Sequence, residues 1–331
     1  MIAPVAKFID WSAIQIGAML EPPPNRRNPR LEEALQFLKG PDFISVESQP
    51  ARVEFNPNES RVHFHFPTPR PAEFAENNVV YGRLYRCAER WQKRPTIVLL
   101  QSGSGFMSHR VRFPFITRRC NQAGLNAATL VAPFYFQRRP RYAGALNDWD
   151  YLQDAETKAQ AIAEIRALIG WLLGEGCPAV ALWGNSYGGF LTGLTACRDT
   201  RVAAVVLSVP GVRPKYSRVR ESVLRRRIRE AREGQRVALE ILNLTAMNLI
   251  TAQPVIPKNN ILLIEAIHDL CVPKEHIEEL WQAWGQPDIW RLPHGHVSLG
   301  LGLAPSLTGR VLRWLAPRLR PPAMDAGVAR S

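Results

Sequence analysis

The sequence predicts an α/β protein built on a mostly parallel sheet, and two observations support this prediction. Short apolar runs, each of a length suited to one buried strand, recur along the chain from residue 96 onward. Stretches with apolar residues at helical spacing separate these runs. Strands that alternate with helices are typical of a parallel sheet that is covered by helices on both faces. A chain of 331 residues is long enough to bury a large core of this kind.

The individual elements follow from these patterns. The apolar runs predict strands at residues 96–101, 126–133, 178–183, 201–210, 260–267 and 288–293. Helical spacing predicts helices at residues 111–122, 155–173, 187–197 and 274–283, and "LTGRVLRWLA" predicts a last helix. Before the parallel strands, "RVEF", "RVHFHF" and "NVVYGRLYR" alternate apolar and polar residues, which predicts an antiparallel edge near the N-terminus.

The chain divides into one main domain with three additions. Residues 1–51 are expected to form an extension that packs on the core, and residues 52–320 the main domain. Within it, residues 212–257 separate two predicted strands by more than a simple crossover needs. Their helical pattern, from residue 217 to residue 250, predicts a helical cap insertion over the carboxyl ends of the strands. The polar residues 321–331 are expected to be a flexible tail.

Composition indicates an ordinary globular protein. Hydrophobic residues make up 46% of the chain and charged residues 21%, and no apolar stretch approaches the roughly 20 residues that span a bilayer. Asp10 interrupts the first apolar segment, which has no evident signal-cleavage site. Five scattered cysteines, with no C-x-x-C pair, predict reduced thiols. Together these features predict a cytoplasmic protein.

The net charge of +13 raises the question of an anionic partner. Only seven of the 42 basic residues are lysine, so arginine accounts for the excess. No helix-turn-helix, zinc-finger or RNA-binding motif accompanies it, and a nucleic-acid partner is not expected. In the predicted cap, Arg225, Arg226 and Arg227 face either solvent or an anionic membrane, which leaves peripheral membrane contact open. The oligomeric state is not indicated.

The segment "LWGNSYGGF", residues 182–190, carries the clearest chemical signal. Gly184, Ser186 and Gly188 fit the pattern G-x-S-x-G, with a predicted strand before it and a predicted helix after it. This order is typical of a nucleophile elbow, a tight turn that presents a strained serine above a sheet. The flanking glycines remove side chains that would clash in such a turn.

A serine hydroxyl needs a base to accept its proton and a third group to orient that base. Asp269 follows one predicted strand in "HDLCVP", and His296 follows the last predicted strand in "PHGHVS". The chain order is therefore Ser186, Asp269, His296. His294 competes with His296 for the role of base. Glu265 offers a second acid, although a salt bridge to an arginine is an alternative role for it.

With these motifs in this order, residues 52–315 resemble the α/β-hydrolase superfamily. The run from "GSG" through "LVAPFYFQRRP" to the elbow is also similar to a sparsely characterised group of α/β-hydrolase domain proteins, some associated with lipid deacylation. The elbow alone is similar to that of the prolyl-oligopeptidase group. The resemblance implies the α/β-hydrolase fold and a catalytic triad. Ser186 would attack a carbonyl, His296 would act as general base and then acid, and Asp269 would orient the imidazole.

The resemblance also implies an oxyanion hole. One donor would be the backbone N–H of Tyr187, and the other would come from "QSGSGF", residues 101–106. Related proteins usually have His-Gly at this loop, where this sequence has Gln101-Ser102 or Ser102-Gly103. We expect Ser104 to supply the second donor, with Gly105 as the alternative. We also expect Gly105 and Phe106 to contact the substrate.

Other polar residues have competing interpretations. His63 and His65 alternate along an early strand and are expected to face the surface, because no carboxylate or cysteine is spaced to complete a metal site. His268 is expected to be a solvated loop residue. Two pairs near predicted strand ends, His109 with Arg110 and Arg138 with Arg139, either meet an anionic group of the substrate or are packed or solvated.

The function predicted from these observations is serine hydrolysis of a carboxylic ester through an acyl-enzyme, with no metal or organic cofactor. The expected substrate is a small-molecule or lipid-like ester. Two alternatives remain open. The elbow suits amides equally, which keeps a prolyl-oligopeptidase-like peptidase or amidase in consideration, and the fold also serves non-catalytic binding proteins.

Overall fold

A nine-stranded sheet forms the centre of the computed structural model, which describes residues 1–20, 30–40, 43, 49–55, 61–140, 150–213, 245–300 and 305–320. The strands lie in the order β1-β2-β3-β5-β4-β6-β7-β8-β9. Their bounds are β1 Glu54–Phe55, β2 Arg61–Pro67, β3 Val79–Tyr85, β4 Thr96–Leu100, β5 Asn126–Leu130, β6 Val180–Asn185, β7 Val202–Ser208, β8 Ile261–Ala266 and β9 Asp288–Leu292.

Strand direction divides the sheet into two parts. The pairs β1/β2, β2/β3 and β3/β5 are antiparallel, and all the pairs from β5 to β9 are parallel. Residues of the central strands β4, β5 and β6 are buried throughout, which explains why they read as continuous apolar runs. The predicted parallel sheet with an antiparallel edge is therefore confirmed.

Helices cover both faces of the sheet, as predicted. They are α1 Ala3–Leu20, α2 Leu31–Lys39, α3 Gly105–Met107, α4 Phe113–Gln122, α5 Tyr151–Gly174, α6 Tyr187–Ala196, α7 Lys274–Ala283, α8 His296–Gly300 and α9 Pro305–Leu315. Short 3₁₀ turns lie at Ala75–Asn78, Trp91–Lys93, Phe136–Arg138, Lys258–Asn260 and Ala316–Leu319. One core cluster joins the sheet to α2, α5, α6 and α7, and a second joins its other face to α4, α8 and α9.

The region predicted as one helix at residues 111–122 is longer and less regular than expected. It starts at α3, passes through a π-helical turn at Ser108–Arg112 and continues as α4. Serine side chains explain the early start, because Ser104 Oγ accepts a hydrogen bond from the N–H of Met107 and caps the first turn. The Ser108 hydroxyl accepts a bond from the N–H of Ser102 and ties this turn to the loop after β4.

The predicted cap insertion is described only at its two ends, because residues 214–244 lie outside the described residues, as do Arg225, Arg226, Arg227 and the tail at 321–331. Within its described part, the helix predicted up to residue 250 is wrong, since residues 245–252 form turns and bends. Asn248 and Thr245 accept bonds from N–H groups two residues later, and such local bonds compete with a helix.

No helix within the described ranges has the length and apolarity needed to cross a bilayer. All five cysteines are described, and none of them is in a disulfide bond.

The connections from two neighbouring strands, β4 and β6, run to opposite faces of the sheet at the carboxyl ends of these strands. The chain leaves β4 toward α4 on one face of the sheet and leaves β6 toward α6 on the other. Ligands of open α/β sheets bind at such a switch point. The loop that starts at Gln101 and the turn at Ser186 both lie at this position.

Candidate active site

The turn between β6 and α6 has the geometry of a nucleophile elbow. Ser186 has φ 54° and ψ −113°, a backbone conformation that residues other than glycine rarely adopt. A Cβ on Gly184 would lie 2.0 Å from the carbonyl oxygen of Gly188, and one on Gly188 would lie 2.3 Å from that of Leu100. The predicted strain at the serine and the steric need for both glycines are therefore confirmed.

The structure brings Ser186, His296 and Asp269 into one chain of hydrogen bonds. Ser186 Oγ lies 2.9 Å from His296 Nε2, and His296 Nδ1 lies 2.7 Å from Asp269 Oδ2. The other oxygen, Oδ1 of Asp269, accepts bonds from the N–H groups of Cys271 and Val272. A carboxylate held in this way favours the tautomer that donates Nδ1–H to Asp269 and presents the lone pair of Nε2 to the serine hydroxyl.

The competing residues occupy other positions. His294 Nδ1 faces the hydroxyl of Ser298 at 3.5 Å, and burial lowers the pKa of His294. Glu265 forms a salt bridge of 2.9 Å with Arg291, the alternative role expected for it. Burial raises the pKa of Glu265 even with this arginine beside it. The base nearest the serine is thus His296.

The predicted oxyanion donors lie on two loops that touch. Tyr187 is the first residue of α6, so its N–H has no carbonyl partner within the helix. The loop after β4 packs on the elbow, since a Cβ on Gly188 would lie 2.6 Å from the carbonyl oxygen of Gln101. Within that loop, the N–H of Ser102 is engaged by Ser108. Ser104 is exposed and precedes α3, and its role as second donor stays a prediction.

Gly105 and Phe106, the residues expected to contact the substrate, differ sharply in exposure. Gly105 is buried, and a Cβ at this position would lie 2.8 Å from the Tyr135 ring and 2.9 Å from Gln101 Nε2. The Phe106 side chain is 62% exposed. Gly105 therefore allows the close packing of the loop, and the side chain of Phe106 projects from it.

Sequence reasoning missed the contact between Gln101 and His109, which holds this loop. Gln101 Oε1 lies 3.0 Å from His109 Nε2 and accepts a bond from the N–H of Ala132. His109 packs edge-on against Phe113 and Phe136, and burial lowers its pKa to about 4. A neutral, packed His109 is the second of the two interpretations that the sequence left open. A glutamine after a strand gives no signal for this role.

The arginines near His109 include both packed and solvent-exposed side chains. Arg138 is fully buried and forms two hydrogen bonds, of 2.6 and 2.8 Å, with the carboxylate of Glu164. Its other partners are the carbonyl oxygens of Val131 and Asn77. Arg138 is therefore a packing residue, whereas Arg110 and Arg139 are exposed. His63 and His65 are exposed, as expected, and His268 is partly buried.

Sequence reasoning also missed Asp10, which lies on α1. Its carboxylate accepts hydrogen bonds from the N–H groups of Leu270 and His296, so it contacts the loops of both the acid and the base. The sequence signal is a single acidic residue in a largely apolar helix.

One group of side chains within the described residues has the spacing of metal ligands, namely Asp269, Cys271 and His296. Both oxygens of Asp269 already accept hydrogen bonds, and both ring nitrogens of His296 face a partner. These contacts suit proton transfer better than metal binding.

Two cavities of about 210 and 260 Å³ lie elsewhere in the described part of the chain, and neither is lined by Ser186, Asp269 or His296.

Comparisons with known proteins agree with this fold. Residues 59–212 match the family described as alpha/beta hydrolase domain containing 18, a segment that includes Ser186 and stops before Asp269. Two proteins of Mycobacterium tuberculosis, the uncharacterized proteins MT2702 of strain CDC 1551 and Rv2627c of strain H37Rv, are each 28% identical over 251 residues, or 69% of this chain. The match covers 57% of each relative, so this chain spans little more than half of their length.

Solved structures of similar shape include two esterases and one α/β hydrolase. Acetyl xylan esterase 1 from Thermoanaerobacterium sp. JW/SL YS485 has a TM-score of 0.57 at 14% identity, covering 89% of this chain and 96% of the esterase. The α/β hydrolase GrgF from Penicillium sp. sh18 scores 0.54 at 16% identity, covering 78% and 99%. The Pyrococcus furiosus esterase Pf2001 scores 0.53 at 14% identity, covering 83% and 100%. At these identities, the likeness shows a shared fold.

Proposed function

We propose that this chain, a member of the α/β-hydrolase superfamily, is a serine hydrolase that cleaves carboxylic esters through an acyl-enzyme. The observation that carries the proposal is the chain of hydrogen bonds from Ser186 through His296 to Asp269, of 2.9 and 2.7 Å. These distances lie within the reach that proton transfer between nucleophile and base requires. The strained backbone of Ser186 and the position of Tyr187 as the first residue of α6 support the same reaction.

The chemistry follows from the positions of these atoms. Ser186 Oγ attacks the carbonyl carbon of the ester and gives its proton to His296 Nε2. The negative charge on the carbonyl oxygen is stabilised by the N–H of Tyr187 and a second N–H from the loop after β4, for which Ser104 is our candidate. The bond to the leaving oxygen then breaks, and His296 returns the proton to the departing alcohol. Water cleaves the acyl-enzyme by the same steps and releases the carboxylic acid.

Apolar side chains near the site favour an ester with an apolar part. Ile267 and Leu270, close to Asp269 in the chain, are 44% and 40% exposed, and Phe106 in α3 is 62% exposed. Phe136, which packs near Gly105, is 40% exposed. Large apolar groups exposed on the loops of a site are typical of a surface that contacts an apolar ligand. We therefore propose a small-molecule or lipid-like acyl ester as substrate.

The test is covalent labelling with a fluorophosphonate probe, read by intact mass. We expect the wild-type protein to gain one adduct and Ser186→Ala to gain none. His296→Ala should lose labelling as well, because the hydroxyl then has no base. Matched controls are His294→Ala, which removes the competing histidine, and Ser306→Ala, which removes an exposed serine.

The results separate the proposed function from its alternatives. A folded wild-type protein that takes no adduct would contradict the serine mechanism and favour a binding protein. An adduct that persists in Ser186→Ala would place the nucleophile elsewhere. If labelling behaves as expected, p-nitrophenyl esters of graded chain length should be cleaved faster than aminoacyl p-nitroanilides, and the reverse preference would indicate a peptidase.

Contact with an anionic membrane is a separate proposal, because its residues Arg225, Arg226 and Arg227 lie outside the described part of the chain. Replacing the three arginines with glutamine should weaken binding to phosphatidylserine vesicles, by about 1 kcal/mol for each arginine near the surface. Unchanged binding would contradict it.

A further inference from the structure

We infer that Asp10, on the first helix of the sequence, is a positioning residue that holds the loops of the acid and the base in register. This inference rests on the proposed function, since it concerns how Asp269 and His296 reach their places. The inference gives α1 a role in the active site, in addition to packing of the N-terminal extension on the core.

The carboxylate of Asp10 bridges two loops that are distant from it in sequence. Its Oδ2 accepts hydrogen bonds from the N–H of Leu270 at 3.0 Å and from the N–H of His296 at 2.8 Å. Its Oδ1 accepts a bond from the N–H of Val297 at 2.8 Å. Leu270 directly follows Asp269, so the carboxylate is bonded to the backbone at the base and immediately beside the acid.

These backbone bonds replace the ion pair that a buried carboxylate usually has. Asp10 is 0% exposed, and no lysine or arginine of the described residues forms a salt bridge with it. A buried charge is costly unless it is paired or hydrogen-bonded, and three N–H donors satisfy this need. The same donors would be left unsatisfied if the carboxylate were removed.

The turn before His296 leaves space for this carboxylate. A Cβ on Gly295 would lie 2.7 Å from Asp10 Oδ1 and 2.8 Å from both Oδ2 and Cγ. Gly295 is not among the glycines with positive φ, so its backbone conformation does not itself require glycine. The three atoms nearest to such a Cβ thus all belong to the carboxyl group of Asp10.

The consequence for catalysis follows from the short distances in the proposed triad. Asp269 and His296 lie on separate loops, after β8 and after β9, and their side chains are 2.7 Å apart. Asp10 fixes the backbone of both loops relative to each other. A shift of about 1 Å in a catalytic group can cost about 100-fold in rate. Loss of the bridge should therefore slow the reaction of Ser186 without removing any group that reacts.

The first experiment compares Asp10→Asn with the wild-type full-length protein. Asparagine keeps the shape but turns an N–H₂ group toward at least one backbone N–H. We expect the rate of fluorophosphonate labelling and kcat for a p-nitrophenyl ester to fall by about 10- to 100-fold, with KM changed less than about twofold. The matched control is Lys7→Gln, an exposed change one turn earlier on α1.

The form of the labelling curve separates positioning from loss of structure. A misplaced triad in a folded protein gives complete labelling at a lower rate. Irreversible misfolding gives labelling at the wild-type rate, but of only a fraction of the molecules. Reversible unfolding also lowers the rate, so circular dichroism and urea titration measure the folded fraction, and a folded fraction that accounts for the lower rate is counted with this second result. The second result, or a rate equal to that of wild type, would overturn the inference.

A second pair of variants reaches the same contact from the other side. Gly295→Ala places a methyl group against the carboxylate and should also slow labelling. In the Asp10→Ala background this clash is gone, so Gly295→Ala should add less than about twofold. Fully additive effects would overturn the inference, and this test holds even if Asp10→Asn folds poorly. If the wild-type protein takes no adduct, the proposed function fails, and not this inference alone.

Discussion

The backbone strain at Ser186 predicts that this position trades stability for function. Its φ of 54° and ψ of −113° lie in a region that only glycine adopts without strain, and such strain costs about 1–3 kcal/mol. Replacing Ser186 with glycine relieves this strain but adds about 0.5–1 kcal/mol of conformational entropy cost. Both Ser186→Gly and Ser186→Ala lose the bond to His296, so comparing these two variants cancels that effect. The glycine variant should be more stable than the alanine variant by about 0.5–2 kcal/mol.

Urea denaturation followed by tryptophan fluorescence measures this difference. A matched pair at Ser12, in the interior of α1, should show the opposite order, because glycine there is about 1 kcal/mol less favourable than alanine. Neither Ser186 variant should take a fluorophosphonate adduct. If Ser186→Gly is no more stable than Ser186→Ala while the Ser12 pair behaves as expected, the elbow does not store strain and this reasoning is wrong.

Three further predictions concern packing and charge. Gly184→Ala should prevent folding of the elbow, because its Cβ would lie 2.0 Å from a carbonyl oxygen. The control Gly174→Ala should fold normally, because a Cβ there has nothing within 4 Å. Soluble yield and circular dichroism distinguish the two variants. Glu164→Gln should lower the free energy of unfolding by about 3–5 kcal/mol, because the buried charge of Arg138 loses its partner. Urea titration measures this change, and a clearly smaller value would show that the ion pair is dispensable. His109 has a pKa of about 4, below its ordinary 6.5, so its stabilising effect is complete above pH 6.5 and is lost as pH falls toward 4. Between pH 7.5 and pH 5, the free energy of unfolding should therefore fall by about 2 kcal/mol more in the wild-type protein than in His109→Gln. Equal falls in the two proteins would contradict a neutral, buried ring.

Local patterns were sufficient to predict most of the fold. The helix at Lys274–Ala283 matches its prediction at both ends, and the predicted parallel strands are all present in the described sheet. Buried strands and amphipathic helices leave a periodic record in the sequence, because each residue faces either the core or solvent. The elbow was predictable for a related reason, since the close contacts at Gly184 and Gly188 admit only glycine.

The loop after β4 was harder to predict, because side-chain bonds decide its shape. Ser104 caps a helix that starts before the apolar pattern does, and the Ser108 hydroxyl takes the N–H of Ser102. Serine forms such bonds in many conformations, so its presence does not specify one of them. Gln101 directly follows β4, and its bond to His109 crosses the loop. These contacts become visible only when the distances are known.

Asp10 shows why a functional contact can be absent from any sequence pattern. Lys7 and Asp10 are the only charged residues of α1, and no motif around Asp10 indicates a functional role. Its partners are backbone N–H groups 260 to 287 residues away, and almost every residue in a chain carries the same group. The sequence reflects this contact at Gly295, where a side chain would clash with the carboxylate of Asp10. A motif search can find the three residues of the proposed triad, but the residue proposed to set their spacing is identified by its burial and its hydrogen bonds.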